Sequence, residues 1–85
     1  MAENRARVGG ESRGQAAFRC GWNDLANGVI DWVDQERWPS ALAWVIHMRE
    51  LAGECKRRTS VPNRYYDGVI AAAKEYEQTG KIWRM

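Results

Sequence analysis

The sequence is poor in the side chains that most small functional sites are built from. It holds one histidine, His47, and two cysteines, Cys20 and Cys55. The cysteines have neither CxxC nor metal-ligand spacing, so neither a zinc site nor a disulfide framework is expected. So few thiols fit a reducing cytosol most simply. No apolar run approaches the roughly 18 residues that cross a bilayer, so no membrane span is expected. Gly9-Gly10 lacks the pattern of a phosphate-binding loop. No Ser-His-Asp or Cys-His grouping is suggested by spacing. The expectation is a protein with no catalytic residue, no metal and no cofactor. Charge of one sign is also missing: 13 basic and 11 acidic residues leave a net charge of +2, too balanced to announce a nucleic-acid binder.

His47, Glu50 and Glu54 share one helical face. They reverse the Glu-x-x-His order of di-iron bundles, and no second such motif accompanies them. A solvated polar face is the simpler reading, with Glu54 paired to Arg58 one turn on.

Large aromatics are abundant instead. Five Trp and three Tyr stand among 85 residues, a length that allows one domain. A chain this short has little core to bury. Trp and Tyr bury the most area per residue and also dominate interface hot spots, so the excess serves a core, a binding surface or both.

The periodicity is helical throughout. Phe18, Trp22, Leu25, Val29 and Trp32 form a stripe within a segment running from about Gln15 to Glu36. Gly28 weakens its middle. Trp38-Pro39 ends it, because the residue before proline is pushed out of helical geometry. A second segment runs from Pro39 or Ser40 to Arg58, with Ala41, Val45, Met48, Ala52 and Cys55 as its stripe and Trp44 and Leu51 alongside. Leu42 and Ile46 lie off that stripe, which gives this segment the look of a central helix with two neighbours. The third runs from about Pro62 to Gln78 on Tyr65, Val69, Ala72 and Tyr76. Thr79-Gly80 is its stop, with glycine free to take the left-handed cap.

These segments predict an all-α protein: a three-helix bundle made of a long antiparallel helical hairpin plus a third packed helix. Residues 1–14 read as a flexible polar lead-in without the apolar segment of a signal peptide, 15–80 as the helical domain, and 81–85 as a short tail with Ile82 and Trp83 as anchors.

Antiparallel neighbours would gather Arg13, Arg19, Lys56, Arg57, Arg58 and Arg64 at one pole and Asp31, Asp34 and Glu36 at the other. The basic pole suits an anion or a nucleic-acid backbone, but dipole complementation and ordinary solvated charge are the simpler reading. The acidic pole suits a basic partner or internal links to Lys74, Lys81 and Arg84. A helix-turn-helix reading aims Asn63, Arg64 and Asp67 at base edges, although the turn lacks the usual glycine and the third helix spends its aromatics on core. Trp38 and Trp83 have no periodic reason to be buried. Each is either a cap on the bundle or an anchor for a partner.

The stretch Ala17-Phe18-Arg19-Cys20-Gly21-Trp22-Asn23-Asp24-Leu25-Ala26 resembles the A-F-x-x-G-W-x-x-x-A stretch of many small accessory proteins of bacterial phages and prophages. It covers ten residues. Such proteins often bind and alter a host protein, including defence complexes, transcription machinery and quorum-sensing regulators. The resemblance implies a viral origin, the host cytoplasm as the setting and a host protein as target. It carries over no site residue.

The expected function is therefore that of a non-catalytic protein-binding modulator. Trp38, Leu42, Ile46 and Trp83 would make apolar contacts, with Asp31, Asp34 and Glu36 as a polar rim. The runner-up is a small DNA-binding regulator using Arg57, Arg58 and Arg64. A third reading is a homodimer or larger self-assembly built on the same apolar patch.

Overall fold

Ser12 opens the first helix of the computed structural model, which describes residues 12–32, 36–59 and 63–85. Its hydroxyl accepts from the Gln15 amide at 3.1 Å, and the Gln15 side chain accepts from the Ser12 amide at 2.9 Å, a reciprocal capping box. Helix α1 then spans Arg13–Asp31. Helix α2 spans Ala41–Arg58, with the Ser40 hydroxyl accepting from the Ala43 amide at 3.1 Å and Lys56, Arg57 and Arg58 on its negative end. Helix α3 spans Arg64–Thr79, capped by Asn63 and closed by Gly80 at φ 72°. The three-helix, all-α architecture is the one the periodicity predicts.

Helix α1 stops short of the expected Glu36. Trp32 leaves the helix in the left-handed region at φ 42°. The stop leaves Asp31 as the last helical residue, where its charge opposes the dipole, and Arg84 pairs with it at 3.5 Å. The turn also sets the Trp32 ring edge-on to Trp44, with centroids 6.3 Å apart. That contact offsets a backbone cost of about 1–2 kcal/mol for a non-glycine residue in this region.

The central helix is α3, not α2. It packs against both others, whereas α1 and α2 touch over a short stretch. Glycine explains the asymmetry. A Cβ added at Gly21 would lie 2.9 Å from the Tyr65 carbonyl carbon and closer still to its oxygen; one at Gly68 would meet Phe18 in the same way. The backbones of α1 and α3 thus cross in direct contact, which only hydrogen at both positions permits. Between α1 and α2 the spacer is large: the Trp44 indole lies over Gly28, with ring carbons 2.8 Å from where a Cβ would sit. Gly28 is a seat for Trp44, and its low helix propensity is the cost of that seat.

Ion pairs Lys56–Asp67 and Arg49–Glu77 fix the direction of α3 beside α2: its start lies near the end of α2 and its end near the first half of α2. They run antiparallel, and α1 runs alongside α3 with Arg64 over the Phe18 ring at 5.2 Å. The core consists of Trp22, Leu25, Ala26, Trp44, Val45, Ala52, Val69, Ala72 and Ala73, and Phe18, Val29, Trp32, Met48 and the tyrosines pack around it. All of these lie on or beside the stripes read from the sequence, except that Leu51 is 45% exposed.

The tail after Gly80 lies along α1. Trp22 Nε1 donates to the Trp83 carbonyl at 2.7 Å, and the two rings sit 5.4 Å apart. Asn23 grips the backbone of Met85 twice, accepting from its amide at 2.7 Å and donating to its carbonyl at 3.2 Å. Arg84 donates to Asn27 and, at 3.5 Å, to Asp31.

Candidate functional site

Because Trp44 holds α1 away from α2, an apolar groove stays open along the α2–α3 seam and reaches the edge of α1. One part, about 170 Å³, is lined by Met48, Leu51, Ala52 and Cys55 of α2 and by Tyr65, Tyr66 and Val69 of α3. An adjoining part, about 160 Å³, is lined by Asp24, Leu25, Trp44, Met48, Tyr65 and Val69. The two share Met48, Tyr65 and Val69. The groove wall is almost entirely carbon and sulfur, with polar atoms only at the edges. Asp24 marks the α1 edge, where its carboxylate accepts from the Tyr65 hydroxyl at 2.5 Å. That bond, helped by partial burial, pushes the Tyr65 pKa up to about 12. On the α2 side, Glu54 and Arg58 pair at 3.2 Å, as their spacing predicts.

The opposite flank of α2 presents a different surface. Arg49, Glu50, Gly53 and Arg57 of α2 face Ile70 and Lys74 of α3 across a depression of about 300 Å³. Arg49 is tied to Glu77 by two hydrogen bonds of 2.5 and 3.1 Å, which raise its pKa further above the ordinary guanidinium value. A third cleft, about 500 Å³, lies where α1 and α3 begin and is lined by Ser12, Gly14, Gln15, Phe18, Arg19, Arg64 and Met85.

The residues singled out as an apolar contact patch are spread over several surfaces. Trp38 is partly buried and rests on His47, with ring centroids 4.9 Å apart. Leu42 and Ile46 sit one turn apart on the flank of α2 that leads to Arg49 and Gly53. Leu42 and His47 are five residues apart, about 140° around the helix, so Trp38 and Leu42 occupy different sides of α2. Trp83 is 49% exposed yet caps Trp22, so it is half cap and half surface. Asp31 pairs with Arg84 at 3.5 Å, Glu36 is exposed, and Asp34 lies outside the described residues.

The base-reading residues of the helix-turn-helix scheme are occupied. Asn63 caps α3 by accepting from the Tyr65 amide at 2.8 Å. Asp67 pairs with Lys56 at 2.5 Å and Arg64 at 3.2 Å, and Arg64 also covers Phe18. Of the expected turn at 59–61, residues 60 and 61 lie outside the described residues. Arg57 and Arg58 are both exposed, Arg58 in its pair with Glu54.

His47, Glu50 and Glu54 form no metal-type cluster, and no group of three or more His, Cys, Asp or Glu side chains gathers among the described residues. Cys20 and Cys55 are both free thiols. Among the described residues no helix is long and apolar enough to cross a membrane.

The apolar groove was not legible as a site because Met48, Cys55, Tyr65 and Val69 lie on stripes that read as core. Leu51 carried a signal, since it sits at the edge of the α2 stripe. In the A-F-x-x-G-W stretch, Phe18, Gly21 and Trp22 are the residues that meet α3 and the tail, so the motif here specifies packing. Comparison of the chain with protein-family models, with curated proteins and with solved structures finds no match.

Proposed function

We propose that this protein is a non-catalytic protein-binding modulator whose main contact surface is the apolar groove along the α2–α3 seam. The observation that carries the reading is the groove itself: half-exposed Leu51 beside Met48, Cys55, Tyr65 and Tyr66 makes a continuous carbon-rich furrow with polar groups only at its rim. Apolar surface of that kind, rimmed by polar residues, marks partner sites. An apolar furrow between two helices is the groove type that takes an amphipathic helix.

The test is site-specific crosslinking. A photo-reactive side chain at Leu51, compared with one at exposed Gln78 on α3, is carried through bacterial lysate with and without Leu51→Glu in a competing unlabelled protein. A defined protein crosslinked from position 51, not from 78, and displaced by unlabelled wild type but not by the Leu51→Glu competitor supports the reading. Crosslinking of the chain to itself alone, with a mass that rises with concentration, replaces the host partner by a second copy. Equal crosslinking from both positions overturns the groove as the contact surface.

A further inference from the structure

The flank of α2 away from the apolar groove carries a second stripe. Leu42, Ile46, Arg49, Gly53 and Arg57 follow one another at spacings of four, three, four and four, so they lie on one face. Leu42 is 44% exposed and Ile46 is partly exposed. Toward the other end, Arg57 and Lys74 stand on opposite walls of the depression, both exposed, and neither makes an ion pair among the described residues. Arg49 is neutralised by Glu77. That leaves two cations in the lining, Arg57 and Lys74, against one carboxylate, Glu50.

Gly53 forms the floor. A Cβ there would meet only its own helix's Arg57 guanidinium, at 3.6 Å, and no part of another helix. Glycine inside an exposed helix costs about 1 kcal/mol relative to alanine. At Gly21, Gly28 and Gly68 helix packing accounts for that cost. At Gly53 no packing contact does, and the glycine instead keeps the depression open.

We infer that this stripe is a docking surface for an acidic amphipathic helix of a partner protein, one that lays apolar side chains on Leu42, Ile46 and Ile70 and carboxylates on Arg57 and Lys74. Charge complementarity selects an acidic occupant. The collinear apolar half selects peptide over nucleic acid, because a phosphate backbone has no use for exposed leucine and isoleucine. The stripe runs for about 22 Å, the length of a four-turn helix. Both walls are helices with no open strand edge, so the occupant packs as a helix and not as an added strand. The inference does not depend on the apolar groove on the other side of α2.

The probe is a synthetic helix-forming peptide of leucine, alanine and glutamate, with the glutamates grouped at one end. Its lysine-for-glutamate counterpart and a single-stranded oligonucleotide serve as controls. Binding is followed by amide NMR shifts at Gly53, Ile70 and Lys74 in the full chain. The acidic peptide is expected to shift these amides and leave Leu51 and Cys55 unmoved, to weaken as salt rises, and to bind at least about tenfold more weakly to Arg57→Glu/Lys74→Glu. Should that double variant fail to fold by circular dichroism, Lys74→Gln alone is expected to weaken binding severalfold. The proposal is overturned by any of four results: no shift up to about 1 mM peptide, equal binding of the lysine peptide, binding unchanged in the folded variants, or shifts of the same amides by the oligonucleotide alone.

Discussion

Gly21→Ala adds one methyl group, and in an ordinary helix it would stabilise the fold by about 1 kcal/mol through helix propensity. At the α1–α3 crossing the methyl group would be driven into the Tyr65 carbonyl, with Tyr65 and Val69 backbone atoms at 2.9 and 3.0 Å. Backbone on a packed helix cannot swing aside as a flexible side chain does, so the helices must part. Parting loosens the layer that includes Trp22, Ala72 and Ala73. Overpacking of this kind costs about 1–3 kcal/mol and sometimes more, which exceeds the propensity gain. The expected result is a net loss of up to about 2 kcal/mol for Gly21→Ala, and the same for Gly68→Ala. Because one separation relieves both clashes, the double variant should lose less than the sum of the two. Gly53→Ala is the internal control: the same methyl group makes only an ordinary contact with the Arg57 side chain, at 3.6 Å, and should stabilise by about 0.5–1 kcal/mol. Urea and thermal unfolding followed at 222 nm read all four variants. For a domain of this size each kcal/mol moves Tm by about 4–8 °C. A Gly21→Ala protein as stable as the wild type, with Gly53→Ala no more stable than it, would refute the close crossing.

Three further outcomes follow from contacts already described. The Tyr65 hydroxyl, bonded to Asp24, has its pKa raised to about 12. Its contribution to stability is therefore fully present below about pH 10 and is lost as the pH rises toward about 12; absorbance at 295 nm should show a late tyrosinate step that Asp24→Asn moves back toward the ordinary value. Removal of residues 81–85 deprives the buried Trp22 indole of its acceptor, the Trp83 carbonyl. It should cost about 1–3 kcal/mol and shift tryptophan emission to the red; unchanged stability would mean that the tail does not hold α1. Arg49–Glu77 is a partly exposed, two-bond pair, with side chains 33% and 21% accessible. Glu77→Gln should cost no more than about 1 kcal/mol, and that cost should shrink in high salt, as measured by urea midpoints.

The helices and their core were legible because apolar spacing, caps and the Gly80 stop all act locally. Ser40 and Gly80 do at the ends of α2 and α3 what such residues ordinarily do. The arrangement of the helices was less legible, since it turns on glycines whose meaning depends on what lies opposite. Gly14, Gly21 and Gly28 recur every seven residues in α1, a pattern that points to close contact on one face. The same residues taken singly read only as weak points. Choosing α2 as the centre followed from Leu42 and Ile46, which instead stay at the surface. The apolar groove was hidden for a related reason: nothing in the α2 or α3 stripes reveals that Trp44 keeps α1 from covering them. The cationic flank needed Arg49, Gly53 and Lys74 to be brought together from two helices, and only the fold does that.

The α1–α3 crossing also governs how the chain reaches its native state. Contacts that tie α1 to α3 and the tail join residues 41 to 62 positions apart, as in Tyr65 with Asp24, Trp22 with Trp83 and Asn23 with Met85. Most helical bundles gain their first tertiary contacts from neighbours in sequence and assemble quickly. Here the pair that packs most closely must find each other across a long loop while α2 is still in the middle of it. Closing such a loop has an entropic cost before any of the packing is gained. The protein should therefore be slow among helical proteins of its size, with the sequence-adjacent α2 and α3 able to pair before α1 docks.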